Sequence, residues 1–135
     1  MEDCIFCKLA NGVFETNTLY ENSDFRVIFD ASPATEGHVL VIPKEHYANV
    51  FEMPEELIAK AYKVAKKVAA VLKEVTGCNG VNILQNNGEA AGQTVFHFHI
   101  HIIPRYHEEI IYWKQNEVNQ EVVDKIIETS RQFFD

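Results

Sequence analysis

Residues 97–103 read His97-Phe98-His99-Ile100-His101-Ile102-Ile103, three histidines at every second position with an apolar residue after each. In an extended chain this period of two throws the imidazoles onto one face and Phe98, Ile100 and Ile102 onto the other. A helix would scatter both sets, so the stretch predicts a strand with a core on one side and a site on the other. Side chains two residues apart on a strand are separated by roughly 6.5 to 7 Å, which spaces the rings along a ligand such as a phosphate chain. Histidine titrates near neutrality, so one ring can attack as the free base while another donates a proton. Two other readings stay open: surface histidines with ordinary hydrogen bonds, and a metal-binding row.

The rest of the chain reads as a single α+β domain over 1–135. Cys4 to Asn11 suggests a short helix closed by Gly12. Thr18 to Glu21 and Phe25 to Phe29 suggest a hairpin turned by Asn22-Ser23-Asp24. Gly37 to Ile42 predicts a strand stopped by Pro43, which cannot donate to a ladder. From Pro54 to Thr76, Leu57, Ala61, Val64, Ala65, Val68, Val71, Leu72 and Val75 recur at helical spacing. Pro54 suits the first helical position, Glu55 and Glu56 suit the positive end of the dipole, and Gly77 suits the close. Gly80 to Gln85 and Val95 to Ile103 predict two further strands, and Val118 to Phe134 a second amphipathic helix. Five strands in hairpin-like order with one long helix indicate an antiparallel sheet covered on one face.

A hydrophobic content of 47% over 135 residues suffices for a core without disulfides. A net charge of −8 argues against a nucleic-acid backbone as partner. The acidic start Met1-Glu2-Asp3-Cys4 is unlike a signal peptide, and no run reaches membrane-spanning length, so a cytoplasmic protein without a membrane partner is expected. Three cysteines fit reduced thiols or metal ligands better than a disulfide framework. Cys4-x-x-Cys7 is half of a tetrahedral zinc site, with a redox pair as the rival reading. The loop Asn86 to Gln93 carries Gly88 and Gly92, whose neighbouring amides could form an anion nest without a lysine or arginine. Two glycines in a hairpin loop also serve simply to turn the chain.

The seven-residue stretch resembles the His-φ-His-φ-His-φ-φ signature of the histidine triad (HIT) family. The similarity extends through Cys4-Ile5-Phe6-Cys7, Phe29-Asp30-Ala31-Ser32-Pro33, Gly37-His38-Val39-Leu40-Val41-Ile42-Pro43-Lys44 and Gly92-Gln93-Thr94-Val95. It covers about Cys4 to Arg105, is closest to the bacterial-type nucleotide-binding branch, and leaves 106–135 as an extension with no transferred function. The resemblance implies a HIT-like fold and a homodimeric hydrolase of purine nucleoside 5′-phosphoramidates and related nucleoside monophosphate conjugates. It implies that His99 attacks the α-phosphorus to form a nucleotidyl-histidine, which water then hydrolyses. His99 must then be neutral, with its other nitrogen on an acceptor such as a backbone carbonyl.

By the same resemblance, His101 contacts phosphate and Asp30 binds the ribose hydroxyls. Phe6 and Ile28 flank the base, while Asn86, Gly92, Gln93 and Thr94 hold phosphate and leaving group. Thr94 stands where serine is frequent, keeping the hydroxyl but adding a methyl that could alter leaving-group preference. Zinc-containing members of this branch imply a structural zinc on Cys4, Cys7, His46 and His97. A dinucleoside polyphosphate hydrolase is the alternative enzyme, and a non-catalytic nucleotide- or metal-binding regulatory protein the alternative class. Read as residues alone, Asp30 could merely begin a turn, and Phe6 and Ile28 could be core.

Overall fold

The computed structural model describes residues 3–107, 111 and 114–134. Met1, Glu2 and positions 108–110, 112, 113 and 135 of the expected extension lie outside the described residues. Helix α1 (Ile5–Ala10) is followed by β1 (Thr18–Glu21), β2 (Phe25–Phe29) and β3 (Val39–Pro43), then α2 (Glu55–Thr76) and β4 (Gly80–Leu84). A 3-10 turn at Glu89–Ala91 precedes β5 (Ile100–Arg105), and α3 (Gln120–Ser130) follows. The sheet is antiparallel throughout, in the order β1-β2-β3-β5-β4, so β5 lies between β3 and β4.

The long periodic stretch is α2, and its stripe Ala61, Ala65, Val68 and Leu72 packs on Phe25, Val27, Val41, Phe98, Ile100 and Ile102. Small residues on that stripe let the helix lie close to the sheet, with the Phe25 ring supplied by β2 and the Phe98 ring by the segment just before β5. The opposite face is not bare, as the expectation of one covered face had it. Ile28, Leu40 and Ile42 are covered there by α1 through Ala10, Leu9 and Phe6. A six-residue helix carries too few apolar positions to announce which face it covers.

Of the boundaries that differ from the sequence reading, three have a local reason. Pro54 is the residue before α2 rather than its first, with an extended backbone at ψ 141°. The strand expected from Gly37 begins at Val39, because Gly37 takes φ +90°, outside the extended region. The histidine strand starts at Ile100 rather than Val95. Continuing the register in which Val41 faces Ile100 would set Pro43 opposite Phe98, and Pro43 has no N–H to extend the ladder. Instead the Phe98 N–H donates to the Tyr47 carbonyl at 2.7 Å. Pro104 is accommodated in β5 because β3 pairing ends at Ile102. In α3 no residue is buried, and Val122, Ile126 and Ile127 are exposed. Among the described residues no helix is long and apolar enough to cross a membrane.

A histidine-lined candidate active site

The alternation predicted for 97–103 survives the loss of the ladder upstream of Ile100. Phe98, Ile100 and Ile102 are wholly buried in the core under α2, while His97, His99 and His101 face the other way. They nevertheless belong to two different groups of side chains. His97 joins Cys4, Cys7 and His46, whereas His99 and His101 stack edge to face at 4.9 Å beside Asp30 and His38. Phe6 stands between them, its ring edge-on to His99 at 4.8 Å and to His97 at 6.2 Å.

In the first group, Cys4 Sγ lies 3.3 Å from His97 Nδ1, Cys7 Sγ 3.3 Å from His46 Nδ1 and 3.4 Å from His97 Nδ1. The two imidazole Nδ1 atoms are themselves 3.2 Å apart. His97 Nε2 donates to the Pro43 carbonyl at 2.8 Å, which leaves the Nδ1 lone pair turned toward the thiols. That second-layer carbonyl is the arrangement that orients a metal-binding imidazole. Two soft sulfurs and two nitrogen lone pairs converging this closely suit a zinc-type cation better than a redox pair. Burial pushes the Cys7 thiol up, with the neighbouring Cys4 adding to it. Burial also holds His97 neutral, with its pKa near 4.

In the second group, His99 Nδ1 donates to the His97 carbonyl at 2.7 Å, the kind of acceptor the nucleophile reading needs. The proton is thereby fixed on Nδ1 and the lone pair on Nε2. Burial lowers the His99 pKa against the opposing pull of the His97 carbonyl and Asp30, so the ring is neutral at neutral pH. His101 is pushed down to about 4, first by burial and then by His99 and His38. Near neutrality its ring is therefore neutral, with one nitrogen able to donate and the other to accept.

His38, a residue for which the sequence reading gave no role, completes this group. Its Nε2 lies 3.0 Å from His101 Nδ1 and 3.5 Å from Asp30 Oδ2. The signal that could have found it is the pairing of β3 with β5, which sets Leu40 opposite His101 and brings the start of β3 to the histidine strand. Asp30 has a double part: its Oδ1 accepts from the Ser32 N–H at 2.8 Å, the turn role, while its other oxygen faces His38. Ile28 is buried at 2% exposure beside Leu40 and Ile42, with Phe6 packed against them half-buried.

The glycine loop is built differently from the expected anion nest. The N–H groups of Ala91, Gly92 and Gln93 bond to Gly88 and Glu89 carbonyls within the loop, and that of Gly88 to Gln93 Oε1. Gln93 is buried, and its amide nitrogen also reaches the carbonyls of Ala48 and Val95 at 2.7 and 3.1 Å. These four amides are thus engaged internally, and Gln93 pins the loop through its side chain. Gly92 takes φ +94°, and a Cβ there would meet Asn86 Nδ2 at 3.7 Å. Thr94 lines an open cavity of about 680 Å³ together with Asp3, Cys4, Ile5, His46, Val95 and Phe96.

The depressed pKa of His101 has a measurable consequence. Below its ordinary value near 6.5 the unfolded chain binds a proton that the folded ring refuses until about pH 4. The contribution to stability is therefore complete above pH 6.5 and is lost as the pH falls toward 4. Melting temperature is expected to fall across that window, and less steeply in His101→Gln. Equal slopes would remove His101 from the list of groups responsible.

Residues 11–108 match the HIT domain, and the histidine strand lies inside the sheet, between β3 and β4; the chain belongs to the histidine triad family. It is 42% identical over 106 residues to adenosine 5′-monophosphoramidase hnt1 of Schizosaccharomyces pombe, spanning 78% of this chain and 77% of that protein. Among solved structures, a HIT family protein from Bacillus anthracis is 39% identical, with a TM-score of 0.88 over 99% of both chains. A zinc-bound histidine triad family protein from Mycobacterium smegmatis is 32% identical, with a TM-score of 0.78 over 98% of this chain and 96% of that one.

Proposed function

We propose that the protein is a nucleotide hydrolase that cleaves purine nucleoside 5′-phosphoramidates and related nucleoside monophosphate conjugates through a nucleotidyl-histidine on His99. The observation that carries this is the bond from His99 Nδ1 to the His97 carbonyl, which presents a neutral imidazole with its lone pair on Nε2. Kinship with a monophosphoramidase supports the substrate class. In the first half-reaction the Nε2 lone pair bonds to phosphorus. The phosphorus–nitrogen bond of the substrate breaks, and the amine leaves with that electron pair and takes a proton from solvent. In the second, water attacks phosphorus and releases its proton, and the bond to His99 breaks to return the lone pair.

His101 donates a hydrogen bond to the phosphoryl oxygens, where charge develops. The Thr94 hydroxyl serves the leaving group, and Asn86, Gly92 and Gln93 lie along the phosphate, where Gly92 and Gln93 give shape and not N–H donation, their amides being engaged by the loop itself. Phe6 and Ile28 flank the purine, and Asp30 accepts from the ribose hydroxyls. A homodimer is part of the same reading.

Zinc on Cys4, Cys7, His46 and His97 would be structural: four protein donors leave no position for substrate, and the chemistry it supplies is cross-linking of α1 to the chain before β5. A reducing, cytoplasmic compartment suits thiols used this way. Cys7→Ser, produced with zinc present, is expected to lose stoichiometric zinc by elemental analysis. It should also melt lower, by about 4 kcal/mol where free zinc stands a thousandfold above its Kd. Full zinc occupancy in that variant would refute the assignment.

The activity is tested by incubation with adenosine 5′-phosphoramidate, with its lysine conjugate and with a dinucleoside polyphosphate. AMP release that is fastest from the phosphoramidates is expected, together with a nucleotidyl mass gain on the quenched protein. Preference for the dinucleotide would move the reading to the alternative hydrolase, and no release from any of the three would overturn it.

A further inference from the structure

Adjacent residues of a strand point to opposite faces, yet Leu19 and Tyr20 of β1 line one groove against α2. The cause is local. The pairing of β1 with β2 shifts register between Thr18 and Tyr20, so an extra residue sits on β1, and a bulge of that kind re-aims a side chain. Tyr20 is registered with Val27, which packs in the core under α2. Glu21 is registered with Arg26 and pairs with it on the α1 side of the sheet, where Arg26 also donates to the Leu9 carbonyl. Leu19 thus joins Tyr20 on the α2 side instead of Glu21 on the other.

The facing wall comes from α2. Val64, Val68 and Val71 make it apolar, and the exposed Lys63 and Lys67 line it one helical turn apart. Charge singles this groove out. The chain carries −8 overall, but α2 from Leu57 to Lys73 holds five of the 12 lysines and arginines and no carboxylate. Lys60 pairs with Asp24 at 3.5 Å, whereas among the described residues neither Lys63 nor Lys67 has an ion-pair partner. No acidic residue lines the groove. Two uncompensated ammonium groups beside apolar walls match a ligand with a negative head and an apolar tail. The volume of about 380 Å³ lies at the small end of the roughly 300 to 1,000 Å³ of small-molecule sites.

We propose that this groove binds a small amphipathic anion, a monocarboxylate on an unbranched apolar chain. Lys63 and Lys67 hold the carboxylate, and the chain lies between the valines of α2 and the Leu19–Tyr20 bulge. The groove is on the face of the sheet away from His99 and His101, so the inference stands apart from the reaction proposed there.

The test titrates decanoate into the full chain and follows the methyl groups of Leu19, Val64, Val68 and Val71 by 1H–13C NMR. Saturable shifts centred on those methyls are expected. Hexanoate, four methylenes shorter, should bind at least about tenfold more weakly. Decylamine, with a tail of the same length and the opposite charge, should also bind at least about tenfold more weakly. Lys63→Gln/Lys67→Gln should lose about tenfold in affinity for decanoate, whereas Lys66→Gln/Lys73→Gln, an equal change of net charge on α2 outside the groove, should lose less than about twofold.

Decylamine binding as tightly as decanoate, equal losses in the two lysine pairs, shifts spread evenly over the chain, or no shift at millimolar decanoate would each overturn the assignment. A tighter response to a hexapeptide of alternating glutamate and leucine, or to phosphatidylglycerol vesicles, would overturn it in favour of a docking surface for a larger partner.

Discussion

His99→Ala is expected to lower AMP release by about four orders of magnitude or more while nucleotide binding stays within a few-fold of native. The asymmetry follows from the geometry. His99 is buried at 7% exposure, and its ring donates to the carbonyl two residues back, so removing the ring takes away the attacking atom and little scaffold. Binding should persist because the groups assigned to base and ribose, Phe6, Ile28 and Asp30, come from α1, β2 and the residue after β2. The variant should also show no nucleotidyl mass gain on quenching. A variant that kept a tenth of native turnover would make His99 a contact and not the nucleophile. Parallel loss of binding and turnover would point to damage at the site instead, which a calorimetric titration with AMP separates.

Phe98→Ala is expected to destabilise the fold by about 3 to 5 kcal/mol, lowering the melting temperature on the order of 10 °C. The Phe98 ring is fully buried between α2 and the sheet, and its own N–H is fixed on Tyr47, so neither backbone nor side chain can shift to close the void. The comparison is Ile100→Val in the same cluster, expected to cost about 0.5 to 1.5 kcal/mol. Urea unfolding with an unchanged slope would measure both. A loss below about 1 kcal/mol at Phe98 would mean that the apolar half of the histidine stretch does not anchor the other half.

The two halves of that stretch explain what was legible from residues alone. Alternation of ring and hydrophobe survives whether the backbone is paired or merely extended, so the buried and site faces could be read correctly although the ladder begins at Ile100. Helix α2 was equally legible, because its stripe repeats over 22 residues. What stayed hidden depends on contacts remote in sequence. His38 joins the second cluster through a ring 63 positions away, and a solitary histidine carries no local pattern that tells of this. The glycine loop misled for a related reason: whether an amide is available depends on who else claims it, and the buried side chain of Gln93 claims that of Gly88. Strand ends were decided by partners, as where Pro43 stops β3 from carrying the pairing upstream.

The order of the strands also governs when the molecule can acquire its site during synthesis. Cys4 and its partner His97 are 93 positions apart, and β5 must enter between two strands already made. A chain still growing on the ribosome therefore lacks the strand that closes the seam between β3 and β4. Neither histidine cluster exists until the last strand emerges, so nascent or truncated chains ending before His97 are born without either.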